Sequence, residues 1–193
     1  MRTFVAIDIS DEIRSKIRDL IQTLQPAAPQ IRWARPEGLH VTLKFLGEVP
    51  LGKLETIQAT LASVRSPVPI ALRVQGAGYF PNERSPRVIW LGVDGGKELL
   101  ELVEQVEENF RTLGFAREKR PFSGHLTLGR LRMPGKIVAL QELLREREPL
   151  ALGSFVAREL FLYESKLSPG GSEYFRIARF EFAPLATNRP KQD

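Results

Sequence analysis

The sequence predicts an α+β fold of two lobes related by a pseudo-two-fold axis. Three observations predict it. Short stretches alternate apolar and polar residues as strands do, amphipathic stretches of helical period lie between them, and the whole order recurs at a constant offset of 85 residues.

Thr3–Ile9 alternates through Val5, Ile7 and Ile9 and reads as a strand. Ser10 is placed to cap a helix whose first turn holds Asp11 and Glu12, where carboxylates favour the positive end of the helix dipole. Ile13, Ile17, Leu20 and Leu24 form its apolar face, and Pro26 and Pro29 end it. Leu39–Leu46 reads as a strand, Leu54, Ile57, Leu61 and Val64 mark a second helix, and Val68, Ile70, Leu72 and Val74 alternate again. The order then restarts. Val88–Val93 is a strand, and Leu99, Val103, Val106, Phe110 and Leu113 are one helix face closed by Gly114. His125–Leu131 is a strand, Ile137, Leu140 and Leu144 mark a helix, and Gly153–Tyr163 reads as one long strand. Ser172–Phe182 adds a last strand. Residues 1–193 are therefore expected to form a single bilobal domain with repeat halves of about 3–85 and 88–182. The sheets should be mainly antiparallel, with helices on their outer faces, a cleft between the lobes and a flexible tail at 188–193.

Composition narrows the class. Apolar residues make up 42% and charged residues 26%, as in ordinary globular proteins. No apolar run is long enough to span a bilayer, and the N-terminus reads as a strand instead of a signal peptide, so no membrane association is expected. The chain has no cysteine, which excludes disulfides, thiolate catalysis and Cys-ligated zinc and suits the reducing cytoplasm. The net charge is +5, and 20 of the 28 basic residues are arginine, whose planar fork suits phosphate. Nothing in the sequence points to an oligomer, and a monomer is expected.

The two histidines are the informative residues. They stand in His40-Val41-Thr42-Leu43 and His125-Leu126-Thr127-Leu128, at equivalent positions of the repeat. On a strand, residues i and i+2 share a face. Each strand therefore presents an imidazole and a hydroxyl on one side and apolar residues on the other. Brought together on a pseudo-symmetry axis, two imidazoles can serve as a general acid and a general base near neutral pH. The hydroxyls of Thr42 and Thr127 can hold non-bridging oxygens of a phosphate. Two histidines 85 residues apart without a matched acidic cluster make a poor metal site, so neither metal nor cofactor is expected. Gly92–Lys97 lacks P-loop spacing, Gly76-Ala77-Gly78 lacks the third glycine of a dinucleotide fingerprint, and no serine has nucleophile-elbow spacing.

The stretches His40-Val41-Thr42-Leu43-Lys44-Phe45-Leu46-Gly47 and Pro121-Phe122-Ser123-Gly124-His125-Leu126-Thr127-Leu128-Gly129-Arg130 resemble the paired signatures of the 2H phosphoesterases. The closer resemblance is to the bacterial and archaeal RNA 2′,3′-cyclic phosphodiesterases, historically called 2′-5′ RNA ligases. It includes Phe4–Asp8, Arg32-Trp33, Leu162–Ser165 and Pro169–Gly171. The resemblance implies metal-independent hydrolysis of RNA 2′,3′-cyclic phosphate ends to 2′-phosphomonoesters, with His40 as proton donor and His125 as acceptor. tRNA fragments or small oligonucleotides would be the partners. One departure is Gly124, where the family usually has proline; altered rigidity before His125 is expected, with the chemistry retained.

Further candidates are weaker. Strand parity puts Lys44 on the face of His40 and Thr42, within reach of a phosphate. Phe45 is a candidate base-stacking residue, although parity turns it to the core. Arg130 matches a basic position of the family motif, although parity puts it opposite His125 unless a bulge re-aims it. Tyr163 and Tyr174 are candidates to line the cleft, with core packing the favoured role for each. The alternatives to hydrolysis are 2′-5′ ligation to a 5′-hydroxyl end and a non-catalytic module that binds RNA ends.

Overall fold

The computed structural model describes residues 1–66, 69–133, 135–168 and 171–182. Val68, Pro169, Gly170 and the tail at 188–193 lie outside the described residues. The strands are β1 (Arg2–Asp8), β2 (Ile31–Trp33), β3 (His40–Glu48), β4 (Ile70–Phe80), β5 (Val88–Asp94), β6 (His125–Leu131), β7 (Ala151–Ala157), β8 (Glu159–Ser168) and β9 (Gly171–Glu181). The helices are α1 (Asp11–Leu24), α2 (Leu54–Ala62), α3 (Gly96–Thr112) and α4 (Val138–Arg145). The expected order of elements is thus present. The Ser10 hydroxyl caps α1 by accepting from the Ile13 N–H at 3.3 Å, and Ile13, Ile17, Leu20 and Leu24 are buried as the periodicity requires.

The strands form two sheets, in the orders β3-β1-β8-β9 and β2-β6-β5-β4-β7, and every pairing is antiparallel. The pairs β3-β1 and β6-β5 are equivalent, as the repeat predicts. Each sheet is nevertheless completed by the other half of the chain: β4 lies beside β5, while β8 lies beside β1. The helix-covered faces of both sheets share one apolar core, which runs from Val5 and Ile7 through Ile57 and Leu91 to Phe110 and Leu162. Helix α1 packs on β7 and α3 on β3 and β4.

One expectation fails here. The run Gly153–Tyr163 is two strands, not one. Ala157 pairs with Ile70 in the second sheet, while Glu159 pairs with Glu181 in the first. The chain changes sheets at Arg158, whose carbonyl accepts from the Phe182 N–H at 2.9 Å. The corner carries no Gly or Pro, so the sequence offers no turn signal there.

Candidate active site

The face of the first sheet turned away from the common core carries its own aromatic cluster of Phe4, Ala6, Phe161 and Tyr163, with Tyr174 packed against it. Period-two alternation puts these residues on the face of His40. Phe4 stacks on the His40 ring with centroids 4.6 Å apart, and Tyr174 meets it edge-on at 4.8 Å. Asp8 is the direct cross-strand partner of His40. The Tyr163 hydroxyl donates to Asp8 Oδ1 at 2.5 Å, and the Arg176 guanidinium donates to Asp8 Oδ2. Burial, then the bond to Asp8, push the Tyr163 hydroxyl up to about 12, so it remains a donor.

His125 has a different setting. Phe80 meets its ring edge-on at 5.1 Å, and Trp90 lies tilted at 6.3 Å. The Trp90 indole lies over Gly78, where a Cβ would fall 2.2 Å from the ring. The cross-strand partner of His125 is Gly92, so no carboxylate occupies the place that Asp8 holds beside His40.

The two imidazoles are held alike. Nδ1 of His40 lies 2.8 Å from the Gly38 carbonyl oxygen, and Nδ1 of His125 lies 2.8 Å from that of Ser123. A carbonyl only accepts, so each Nδ1 carries a hydrogen and each Nε2 is left for chemistry. Strand β3 of one sheet approaches β6 of the other, and the charges of His125 and Arg130 act on His40. One cleft therefore serves both rings. Burial is the main cause that pushes His40 down to about 4; the Gly38 bond and Asp8 oppose it, and His125 and Arg130 reinforce it. Thr42 and Thr127 lie half-buried on the faces of their histidines. Among the described residues no group of three or more His, Asp or Glu is arranged to hold a metal.

Two β-bulges alter the remaining assignments. In the β1–β3 ladder Ala6 pairs with Thr42 and Val5 with Lys44, leaving Leu43 as the extra residue. In the β5–β6 ladder Trp90 pairs with Thr127 and Ile89 with Gly129, leaving Leu128. Leu43 and Leu128 are 85 residues apart, so the bulges are equivalent. Each reverses the strand's parity. Lys44 consequently points into the core and not toward a phosphate. It is only 5% exposed, and its Nζ donates to Glu107 Oε2 at 2.6 Å and to the Ala116 carbonyl at 2.8 Å. Phe45, expected in the core, is 65% exposed on the cleft face, with its ring 5.9 Å from that of Phe4. Arg130 is re-aimed to the face of His125 and is exposed. Tyr163 is buried in the aromatic cluster, as core packing requires, with Tyr174 packed against it, and both rings also border His40. Sequence reasoning does not single out Asp8, Phe80 or Trp90. Parity with Phe4 and Ala6 is the available signal for Asp8.

Gly124 has a steric role. Its carbonyl accepts from the Val93 N–H at 2.9 Å, and a Cβ at this position would stand 2.4 Å from the Val93 carbonyl oxygen. We expect Gly124→Ala to destabilise the fold by about 1–3 kcal/mol, as overpacking does. Chemical denaturation would measure this, and an unchanged midpoint would contradict the close approach.

Two consecutive matches to the LigT-like phosphoesterase family model span residues 7–90 and 91–174. The chain belongs to this family. It is 38% identical over 181 residues to an Archaeoglobus fulgidus protein named RNA 2′,3′-cyclic phosphodiesterase, covering 94% of this chain and 100% of that one. A Methanothermobacter thermautotrophicus protein of the same name is 36% identical over 175 residues, covering 90% and 95%. Among solved structures of similar fold are a Thermus thermophilus protein and Escherichia coli LigT complexed with 3′-AMP. The first has a TM-score of 0.81 at 28% identity, covering 94% of this chain and 98% of that one. The second has a TM-score of 0.73 at 28% identity, covering 94% and 97%. The duplication read from the 85-residue offset is thus matched by two consecutive copies of the family model, and one histidine strand falls in each matched segment. No helix among the described residues is long and apolar enough to cross a membrane.

Proposed function

We propose that this LigT-like phosphoesterase hydrolyses 2′,3′-cyclic phosphate ends of RNA to 2′-phosphomonoesters, with its two imidazoles as acid and base. The observation that carries this reading is the matched pair of Nδ1 anchors, which leaves two Nε2 atoms for one cleft. The names of the relatives at 36% and 38% identity support the substrate. In the reaction, His125 Nε2 takes a proton from water as the water oxygen bonds to phosphorus. The bond from phosphorus to O3′ breaks, and His40 Nε2 gives its proton to O3′. Thr42 and Thr127 donate to the non-bridging oxygens.

The assignment of His40 as donor rests on Asp8. Its carboxylate favours the imidazolium of His40, and His125 has no such neighbour. Burial makes that imidazolium a strong acid, which suits it to protonate an alkoxide leaving group. The anionic phosphate adds a second negative charge beside it when substrate binds.

The direct test is product analysis with an oligonucleotide ending in a 2′,3′-cyclic phosphate. A 2′-phosphate is expected; a 3′-phosphate, or no turnover, would refute the reading. The pH profile tests the electrostatics. In the free enzyme His40 gains its proton only as the pH falls through about 4, so the acidic limb of kcat/KM should lie there. Asp8 raises His40, so Asp8→Asn should move this acidic limb to lower pH. A limb that stays in place would remove Asp8 from the mechanism.

A further inference from the structure

Beside the histidine cleft lies a pair of like charges with no internal explanation. Arg32 of β2 and Arg130 of β6 are direct antiparallel partners. Directly opposed residues project from the same face of a sheet, and like charges so placed repel. Both side chains are exposed, and among the described residues neither forms an ion pair or hydrogen bond with a protein acceptor. Glu173, two residues beyond Gly171, is engaged with Arg35 at 3.7 Å, and Asp8, the cross-strand partner of His40, with Tyr163 and Arg176.

The face is the one that matters. Ile31 and Leu131, the neighbouring pair, are buried, so Arg32 and Arg130 project to the other side, the side of His125 and Thr127 beyond the Leu128 bulge. Arg130 is close enough to His40 for its charge to oppose protonation there. The Arg32 side chain runs past Gly171 of β9, in the other sheet; a Cβ on Gly171 would stand 3.4 Å from its Cδ and 3.7 Å from its Nη1. The pair therefore borders the cleft and reaches from one sheet to the other.

We infer that Arg32 and Arg130 form a second anion subsite, which binds the phosphodiester one nucleotide upstream of the cyclic phosphate. This rests on the proposed hydrolysis of cyclic RNA ends. The histidines and threonines already account for the terminal phosphate. Arg130 lies roughly 7–10 Å beyond Thr127 at about 3.3 Å per strand residue, a span comparable to one nucleotide step. Two guanidiniums that repel each other in the free protein gain most from an anion between them, and the arginine fork matches phosphate oxygens. The preferred substrate is then an oligonucleotide and not a cyclic mononucleotide.

The experiment compares kcat/KM for a nucleoside 2′,3′-cyclic monophosphate and for a trinucleotide ending in the same group. The unmodified protein should prefer the trinucleotide, and Arg32→Gln should lower the trinucleotide-to-mononucleotide ratio by about tenfold, on the scale of a lost charge-assisted contact. The salt dependence on the trinucleotide should become shallower by about 0.7 in log–log slope. Arg32→Lys, which keeps the charge without the fork, should keep the slope and lose part of the ratio. A thermal melt of each variant establishes that it is folded. An unchanged ratio in Arg32→Gln, or equal losses on both substrates, overturns the subsite. Equal efficiency of the unmodified protein on both substrates also overturns it while leaving the hydrolase reading intact. Failure to cleave either substrate refutes the hydrolase reading itself.

Discussion

Replacing either His40 or His125 with alanine is expected to lower turnover by about 10²–10⁴-fold, the range for loss of a positioned acid or base. The two losses should not add. Once one proton-transfer partner is gone, the other has no concerted role, so the double variant should be little worse than the poorer single variant. Single-turnover kinetics on a 2′,3′-cyclic oligonucleotide would measure this. Near-full activity in either single variant would sink the paired mechanism. The variants should differ in rescue. A good leaving group in place of O3′ needs no acid, so it should restore the His40 variant far more than the His125 variant. The opposite result would exchange the two roles.

The largest expected effect on stability lies in the core. Lys44 and Glu107 form an ion pair 2.6 Å long whose side chains are 3% and 8% exposed. It ties β3, which carries His40, to α3 in the other half of the chain. Lys44 also holds the Ala116 carbonyl, and Glu107 accepts from the Glu118 N–H at 3.3 Å. Lys44→Met should cost about 3–5 kcal/mol, because it leaves the Glu107 carboxylate buried without its partner. Lys44→Met with Glu107→Leu removes both charges and should recover more than half of that loss, although the Ala116 and Glu118 backbone groups still lose partners. Urea unfolding of the two variants would measure the difference. A double variant less stable than Lys44→Met alone would show that the pair is not the source of the cost.

The elements and the paired histidines are legible in the sequence because both rest on local periodicity. Val5 and Ile7 alternate, Ile13 to Leu24 follow a helical period, and the His-x-Thr strands recur at a constant offset. Legibility ends where periodicity breaks without a chemical mark. The bulges fall on Leu43 and Leu128, ordinary core leucines, and nothing in an alternating pattern shows that one residue is unpaired. Simple parity therefore assigns the residues beyond each bulge to the wrong face: Lys44 toward the cleft, Phe45 and Arg130 away from it. The break at Arg158 is hidden for a similar reason, since both strands flanking it are apolar. Asp8 is legible in principle by alternation from Phe4. Its importance depends on facing His40 across the sheet, a long-range pairing that sequence spacing does not specify.

The exchange of strands between the halves has a consequence for how this protein can be divided. The chain passes from one sheet to the other after β1, β2, β3 and β7, so a cut between the two repeats separates β4 from β5 and β1 from β8. Either fragment would expose unsatisfied strand edges in the middle of what had been a sheet. The duplication visible in the sequence is therefore not expected to give a modular protein: neither copy should fold alone, and complementation of separately produced halves would require them to assemble while still incomplete.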